Sequence, residues 1–270
     1  MGTFYMKSMS AVDCSGTASA VWQVLDWRAP WMQPYREGGT RLAQVLAQQP
    51  GASVADQLNA MSQRSPRRFV PQSDLPAGEA YEAFIARTGA VPTRDHLHDA
   101  LNGLVWQRFP HTKAKLNTLQ SQAIAQQGVG AVRGPLRDAL TLFDENGTIL
   151  LAPDALWQAL RARQWQRLFV DLRPLWRDAE LVLLGHALLE KLAQPRKPIT
   201  AHVFCHPLTE RLGDNTDAVI ATALSGAHLA TKPYTPLPVM GVPGWCEENE
   251  NFSFYDDSCV FRKARLPELR

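Results

Sequence analysis

The sequence predicts a helix-rich α+β fold, a single domain carrying a small β-hairpin or short sheet, and three observations predict it. Apolar residues recur at helical spacing through most of the chain, most clearly at Leu97, Leu101, Leu104, Val105 and Phe109. Asp144-Glu145-Asn146-Gly147 separates the apolar runs 140–143 and 148–151, which is a hairpin signal because Asn-Gly tolerates the positive φ of tight turns. Residues 199–204 form a short apolar run of strand length. With 270 residues, 45% of them hydrophobic and 20% charged, the chain can bury a substantial core over residues 21–270, behind a flexible segment at 1–20.

Taken in order, a short helix over 21–27 leads into a Pro- and Trp-bearing loop over 27–39. Arg41-Leu42-Ala43-Gln44-Val45-Leu46 has helical period, and Ser53 is placed to cap a second helix reaching Met61. An extended connector at 65–71 precedes a helix over 80–87. Thr93 or Asp95 then caps the helix that begins at Leu97, and Pro110 ends it. Thr112 caps the next helix, with Leu116, Leu119 and Ala123 as its stripe. Beyond the hairpin, 154–169 and 179–192 have helical period, 199–204 is a strand and 216–229 a helix. The Pro-rich remainder reads as loop with a strand near 252–262.

Charge and motifs exclude several functions. Twenty-eight basic and 26 acidic residues give a net charge of +2, so no global field draws the chain to nucleic acid or anionic lipid. No run approaches the ~20 apolar residues of a membrane span, and the N-terminus lacks the basic-then-apolar order of a signal peptide. A cytoplasmic protein is expected. Cys14, Cys205, Cys246 and Cys259 show no C-x-x-C spacing and fit free thiols, and Cys205, His206, Cys246 and Cys259 match no common zinc module. There is no Gly-x-Ser-x-Gly elbow and no Gly-rich phosphate loop. Asp95-His96 and Asn117 suggest a His-Asn-His nuclease, but the second histidine of that pattern is missing.

Two polar residues, His98 and Asn102, fall inside the apolar arc of their helix, with Asp99 at its edge. Burying such groups unpaired costs roughly 1–3 kcal/mol, so they are expected to meet polar partners or a ligand. On the helix expected over 180–192, Leu181, Leu184, Gly185, Leu188 and Leu192 face the core, while His186 and Glu190 share another side at i and i+4. That spacing suits an acid/base pair, two metal ligands or a plain helix hydrogen bond. Glu190 is expected to contact His186, a cation such as Lys113, Arg137 or Lys197, or a metal. Were a metal present, His202 would be the third ligand and His98 the fourth. Nothing in the spacing forces these residues together, so neither metal nor other cofactor is expected. Asp144 and Glu145 suit a carboxylate pair for acid/base or metal chemistry, but are assigned to turn geometry.

The resulting expectation is a polar pocket built around His98, Asp99, Asn102, Lys113, Asn117, Arg137, Asp138, His186, Glu190 and His202. It would take a small anionic ligand, drawn by cations such as Lys113, Arg133, Arg137, Lys191 and Lys197, and could perform acid/base or hydrolytic chemistry. The alternative is a non-catalytic protein-interaction module that uses the Pro- and Trp-rich C-terminal segment as its surface, the polar network being structural.

Long compound stretches also carry a resemblance. They are His98-Asp99-Ala100-Leu101-Asn102-Gly103-Leu104-Val105-Trp106, the runs at 109–117 and 133–146, Gly185-His186-Ala187-Leu188-Leu189-Glu190-Lys191, Ile199-Thr200-Ala201-His202, and the runs at 237–245 and 254–262. Together they resemble the bacterial domain-of-unknown-function family 3025, from about Phe69 onward. The resemblance implies family membership and a single domain, and brings no activity or catalytic assignment with it.

Overall fold

The structure is a computed structural model that describes residues 22, 24–49, 51–61, 67–127, 134–205 and 215–264. The expected flexible segment 1–20, Cys14, Arg133 and His206 lie outside these residues. The helix-rich α+β class holds: helices surround a four-stranded mixed sheet and a two-stranded parallel ribbon.

After a 3-10 turn at Pro30–Tyr35 come α1 (Arg36–Gln48) and α2 (Val54–Met61), so much of the loop expected over 27–39 is helical. Ser53 Oγ accepts the Asp56 amide at 3.0 Å, as its capping role requires, and Asp95 Oδ1 accepts the Val54 amide at 2.7 Å. Strand β1 (Arg68–Pro71) follows, then α3 (Tyr81–Thr88) and β2 (Ala90–Thr93), which pairs in parallel with β1. His96, rather than Thr93 or Asp95, stands at the N-cap of α4 (Leu97–Arg108), and Pro110 opens α5 (Pro110–Gln127), taking the first helical position that Thr112 was expected to cap.

The expected hairpin does not form. Residues 140–146 belong to α6 (Pro135–Asn146), and Gly147 takes an ordinary extended conformation with φ −69° at the start of β3 (Gly147–Leu151). Ala139, Leu140 and Phe143 are buried at helical spacing, and packing that stripe outweighs the local Asn-Gly preference. Strand β3 instead pairs antiparallel with β4 (Glu180–Leu183) and in parallel with β5 (Thr200–Phe204). The helix expected over 179–192 is therefore a strand followed by the short α8 (His186–Lys191). Between β3 and β4, α7 (Asp154–Arg161) ends short of 169; Arg163 adopts φ +50° and a π-turn runs over Arg167–Asp171. The helix expected over 216–229 divides into α9 (Thr216–Ala223) and α10 (Gly226–Ala230).

Strand β6 (Tyr234–Pro238), unforeseen because of its prolines, pairs with β5 at the sheet edge, where a missing donor faces away from the ladder. No strand forms near 252–262. That stretch carries a 3-10 turn at Phe252–Asp256, and Tyr255 and Phe261 turn inward. Ile149 and Leu151 enter one core and Leu150 the other, the alternation of a strand covered on both faces. The second core gathers Trp165, Phe169, Trp176, Tyr255 and Phe261, so the C-terminal segment is spent on packing, and Phe252 is its one large apolar side chain left exposed among the described residues. No helix among the described residues is long and apolar enough to cross a membrane.

Candidate functional site

Three helices converge at one place. Helix α8 packs against α4 and α6, while α5 packs against α6 and α3. The burial of Leu101 and Val105 fixes the phase of α4 and turns His98 toward α8. The approach of α8 is set by the backbone: the amides of Leu184 and Gly185 donate to the Gly147 carbonyl at 3.0 and 2.9 Å. A Cβ on Gly185 would lie 2.5 Å from Asn146 N and Cα and from the Glu145 carbonyl, so only glycine lets the start of α8 meet the end of α6. The contact brings His186 against Asp144 and Glu145.

A chain of titratable groups results. His98 Nδ1 lies 2.8 Å from Glu190 Oε2, and His98 Nε2 lies 3.0 Å from His186 Nε2. His186 Nε2 is 3.6 Å from Glu145 Oε2, and its Nδ1 is 3.8 Å from Asp144 Oδ2. Lys113 Nζ donates to Asp144 Oδ1 and lies 5.5 Å from the centre of the Trp106 ring. One ring nitrogen each of His98 and His186 and a Glu145 carboxylate oxygen all fall within 4.8 Å of one another.

The environments push these groups apart. The hydrogen bond to Glu190 raises the His98 pKa against the opposing effect of burial, and the same bond holds Glu190 below the usual carboxylate range. Burial drives His186 down to about 4, despite Asp144 beside it. Burial and then Asp144 raise Glu145. Burial opposes ionisation of Asp144 too, but Lys113 and His186 outweigh it and keep the carboxyl low. Ordinary stability does not call for two carboxylates in the last turn of α6, because the negative end of a helix dipole disfavours them. Lys113 offsets that cost.

Asp144 and Glu145 also line a cleft between α3, α5 and α6, with Tyr81, Trp106, Lys113 and Gln120. Gln120 is buried, and among the described residues its Oε1 accepts no hydrogen bond. Asn117, also on the cleft wall, donates to the Glu82 carbonyl at 2.9 Å. Asn102 donates to the Tyr81 hydroxyl at 3.2 Å and keeps a buried Oδ1 with no partner among the described residues.

Other expected site residues lie elsewhere. Asp99 accepts the Arg94 backbone amide at 2.7 Å and its guanidinium at 2.9 and 3.0 Å, a clamp on the start of α4. Asp138 is exposed and pairs with Lys232 at 3.4 Å. Arg137 is buried on α6 and is not among the residues lining the cleft. His202 sits in β5 with its ring edge-on to Tyr234, and Glu145, not His202, completes the ligating group with the two histidines. Lys113 pairs with Asp144 and Lys197 with Asp257, and Glu190 turns to His98 rather than to either cation or to His186. Tyr81 and Gln120 were not foreseen, and Asp144 and Glu145 were assigned to turn geometry over a carboxylate pair. Continuing the period of Ala139, Leu140 and Phe143 through the Asn-Gly pair would have placed the two acids on a helix end instead of a solvent turn.

Lys113→Met is expected to destabilise the protein by about 2 kcal/mol, less than the 3–5 kcal/mol of a fully buried broken pair, because the Asp144 side chain keeps 31% of its exposure. Thermal unfolding measures this. The double variant Lys113→Met/Asp144→Leu should recover most of the loss, and a double variant no better than the single one would show that the charge pair is not what Lys113 contributes.

The profile of a family described as "Protein of unknown function (DUF3025)" matches residues 67–265, a span that contains every residue of the cleft and of the histidine group. No curated protein and no solved structure matches the chain.

Proposed function

We propose, for a chain that belongs to the DUF3025 family, that the cleft binds a small molecule whose reacting atom sits between Glu145 and the two histidines, and that the chemistry there is hydrolytic or acid/base. One observation carries this reading: Glu145 belongs both to the cleft wall and to the His98–His186 group, so a ligand in the cleft reaches groups with opposed proton affinities. The unpartnered Gln120 Oε1 calls for a hydrogen-bond donor on that ligand. Lys113 is already held by Asp144, while Glu82 and Glu145 add negative charge to the wall, so the charges favour a neutral or cationic ligand over the anionic one that the sequence suggested. The interaction-module alternative keeps only part of its surface, since Tyr255 and Phe261 of the C-terminal segment are buried in the second core while Phe252 stays exposed.

A panel of neutral and cationic nitrophenyl esters and anilides tests the reading. Glu145→Gln is expected to lower kcat/KM on any accepted substrate by about 100-fold, the scale of one proton-transfer or electrostatic group, with melting temperature little changed. Gln120→Leu is expected to act mainly on KM. Full activity in Glu145→Gln would overturn the proposal. So would a panel without turnover or thermal shift in which His98→Ala and Glu145→Gln instead lose stability, because the network would then be purely structural.

A further inference from the structure

We propose that His98, His186 and Glu145 form a binding site for one divalent transition-metal ion, zinc being the ion the donor set fits, with Glu190 and Asp144 supporting the two histidines from behind. The inference deepens the reading of the cleft as a site and rests on it for what the ion would do; occupancy itself is measured without any substrate.

The first argument is the convergence of lone pairs. Zinc bonds to histidine nitrogen at about 2.0–2.1 Å and to carboxylate oxygen at about 2.0–2.2 Å, which puts tetrahedral ligand atoms about 3.3 Å apart. The two Nε2 atoms are 3.0 Å apart, and His186 Nε2 is 3.6 Å from Glu145 Oε2. These two separations bracket the tetrahedral value, and the third edge, from His98 to Glu145, lies within 4.8 Å.

Ring orientation is the second argument. Glu190 stands 2.8 Å from His98 Nδ1 and, as an ionised acceptor, requires the proton on that nitrogen, which leaves Nε2 with its lone pair toward His186 and Glu145. His186 is placed in a similar but looser way: its Nδ1 faces the Asp144 carboxylate at 3.8 Å, beyond hydrogen-bond distance, and among the described residues that nitrogen, in a buried ring, has no hydrogen-bond partner. A carboxylate behind Nδ1 of each imidazole, with both Nε2 atoms turned to a common point, is how proteins orient metal-bound histidines. A purely structural pair would need only one such acceptor. Without an ion, two Nε2 atoms at 3.0 Å must share a proton in a mostly buried place. With an ion, neither nitrogen needs one.

Position is the third argument. Three protein ligands leave a tetrahedral ion with an open place, the arrangement of catalytic rather than structural sites. Glu145 is at once a ligand and part of the cleft wall, so that place opens onto the cleft. Two imidazoles with one carboxylate favour a borderline ion such as zinc over magnesium or calcium, which prefer all-oxygen ligands.

The test uses the full chain, stripped with a chelator, dialysed and titrated calorimetrically with zinc chloride, with magnesium chloride in parallel. One zinc per chain is expected, with no comparable magnesium binding. His186→Asn and Glu145→Gln should each weaken zinc binding at least 100-fold, and Glu190→Gln by about 10- to 100-fold, the usual effect of removing a group behind a ligand. Cys205→Ser, Cys246→Ser and Cys259→Ser should leave it unchanged. X-ray absorption of the zinc-loaded wild type should report two imidazoles and no sulfur, a readout that stands even if a variant fails to fold. Absence of zinc binding, binding that survives His186→Asn, or sulfur in the first coordination shell overturns the site. Ester hydrolysis by the chelator-stripped protein would overturn the ion's role and leave the cleft reading standing; zinc binding with no turnover or ligand would do the reverse.

Discussion

Phe169→Ala is expected to destabilise the protein by about 3–5 kcal/mol, the range for losing a large aromatic side chain from a well-packed core. Phe169 is fully buried and stacks on Tyr255, Trp176 and Trp165 at centroid distances of 5.2, 5.8 and 6.2 Å, with Phe261 edge-on at 5.9 Å. Two of those four partners belong to the C-terminal segment. The ring therefore joins the π-turn at Arg167–Asp171 to the end of the described chain, and its loss removes the interactions that hold that end down. Tyr255 adds a hydrogen bond from its hydroxyl to the Gly241 carbonyl at 3.0 Å, which cannot hold the segment without the stack. The melting temperature should fall by on the order of 10 °C for a chain of this size. Phe169→Leu should recover much of the loss by refilling the cavity. Zinc affinity should stay near that of the wild type, because the second core contains no residue of the histidine group. A loss below about 1 kcal/mol would show that the aromatic cluster is not the close-packed core described.

The same stack shows where sequence reading stops. Period and caps located α2, with its Ser53 cap, and the phase of α4, because both are local properties: one hydroxyl three residues before an amide, one apolar stripe along a helix. The polar residues inside that stripe, His98 and Asn102, were legible for the same reason, since a polar group at a buried phase must find a partner. What His98 finds could not be read. Glu190 lies 92 positions away on a six-residue helix, and nothing in the order of residues says that α8 meets α4. Local signals also misled where a longer-range interaction was stronger. Asn146-Gly147 reads as a turn in isolation, but the burial of Phe143 carries α6 through Asn146 and leaves Gly147 in the sheet. That one substitution of helix for turn moved Asp144 and Glu145 from solvent to the centre of the site. Strands β2 and β6 escaped notice because Pro92, Pro236 and Pro238 mask their pattern, although an edge strand tolerates proline where its amide would face outward.

Gly185→Ala is expected to cost about 3 kcal/mol, the upper end of ordinary overpacking, and to weaken zinc binding at least 100-fold while leaving every ligand in place. The added methyl would stand 2.5 Å from three backbone atoms of Glu145 and Asn146. A flexible side chain could swing away from it, but here the neighbour is the end of α6, which is held on one side by β3 and on the other by Lys113 and Lys191. Gly185 has φ −69°, a conformation alanine accepts freely, so the effect comes from contact and not from backbone strain. The strain has one outlet: α8 must draw back from α6 and stretch the bonds from the Leu184 and Gly185 amides to the Gly147 carbonyl. His186 then leaves Glu145, whose present 3.6 Å separation is what lets them share an ion. Gly226→Ala supplies the contrast. Its methyl would meet only Leu119 and Leu136 side chains at 3.6 Å, and alanine suits a helix better than glycine, so stability and zinc affinity should hold or rise slightly. If both alanines proved equally harmless in unfolding and zinc titration, α8 could not press on the end of α6 as the geometry requires, and the site would lose the contact that assembles it.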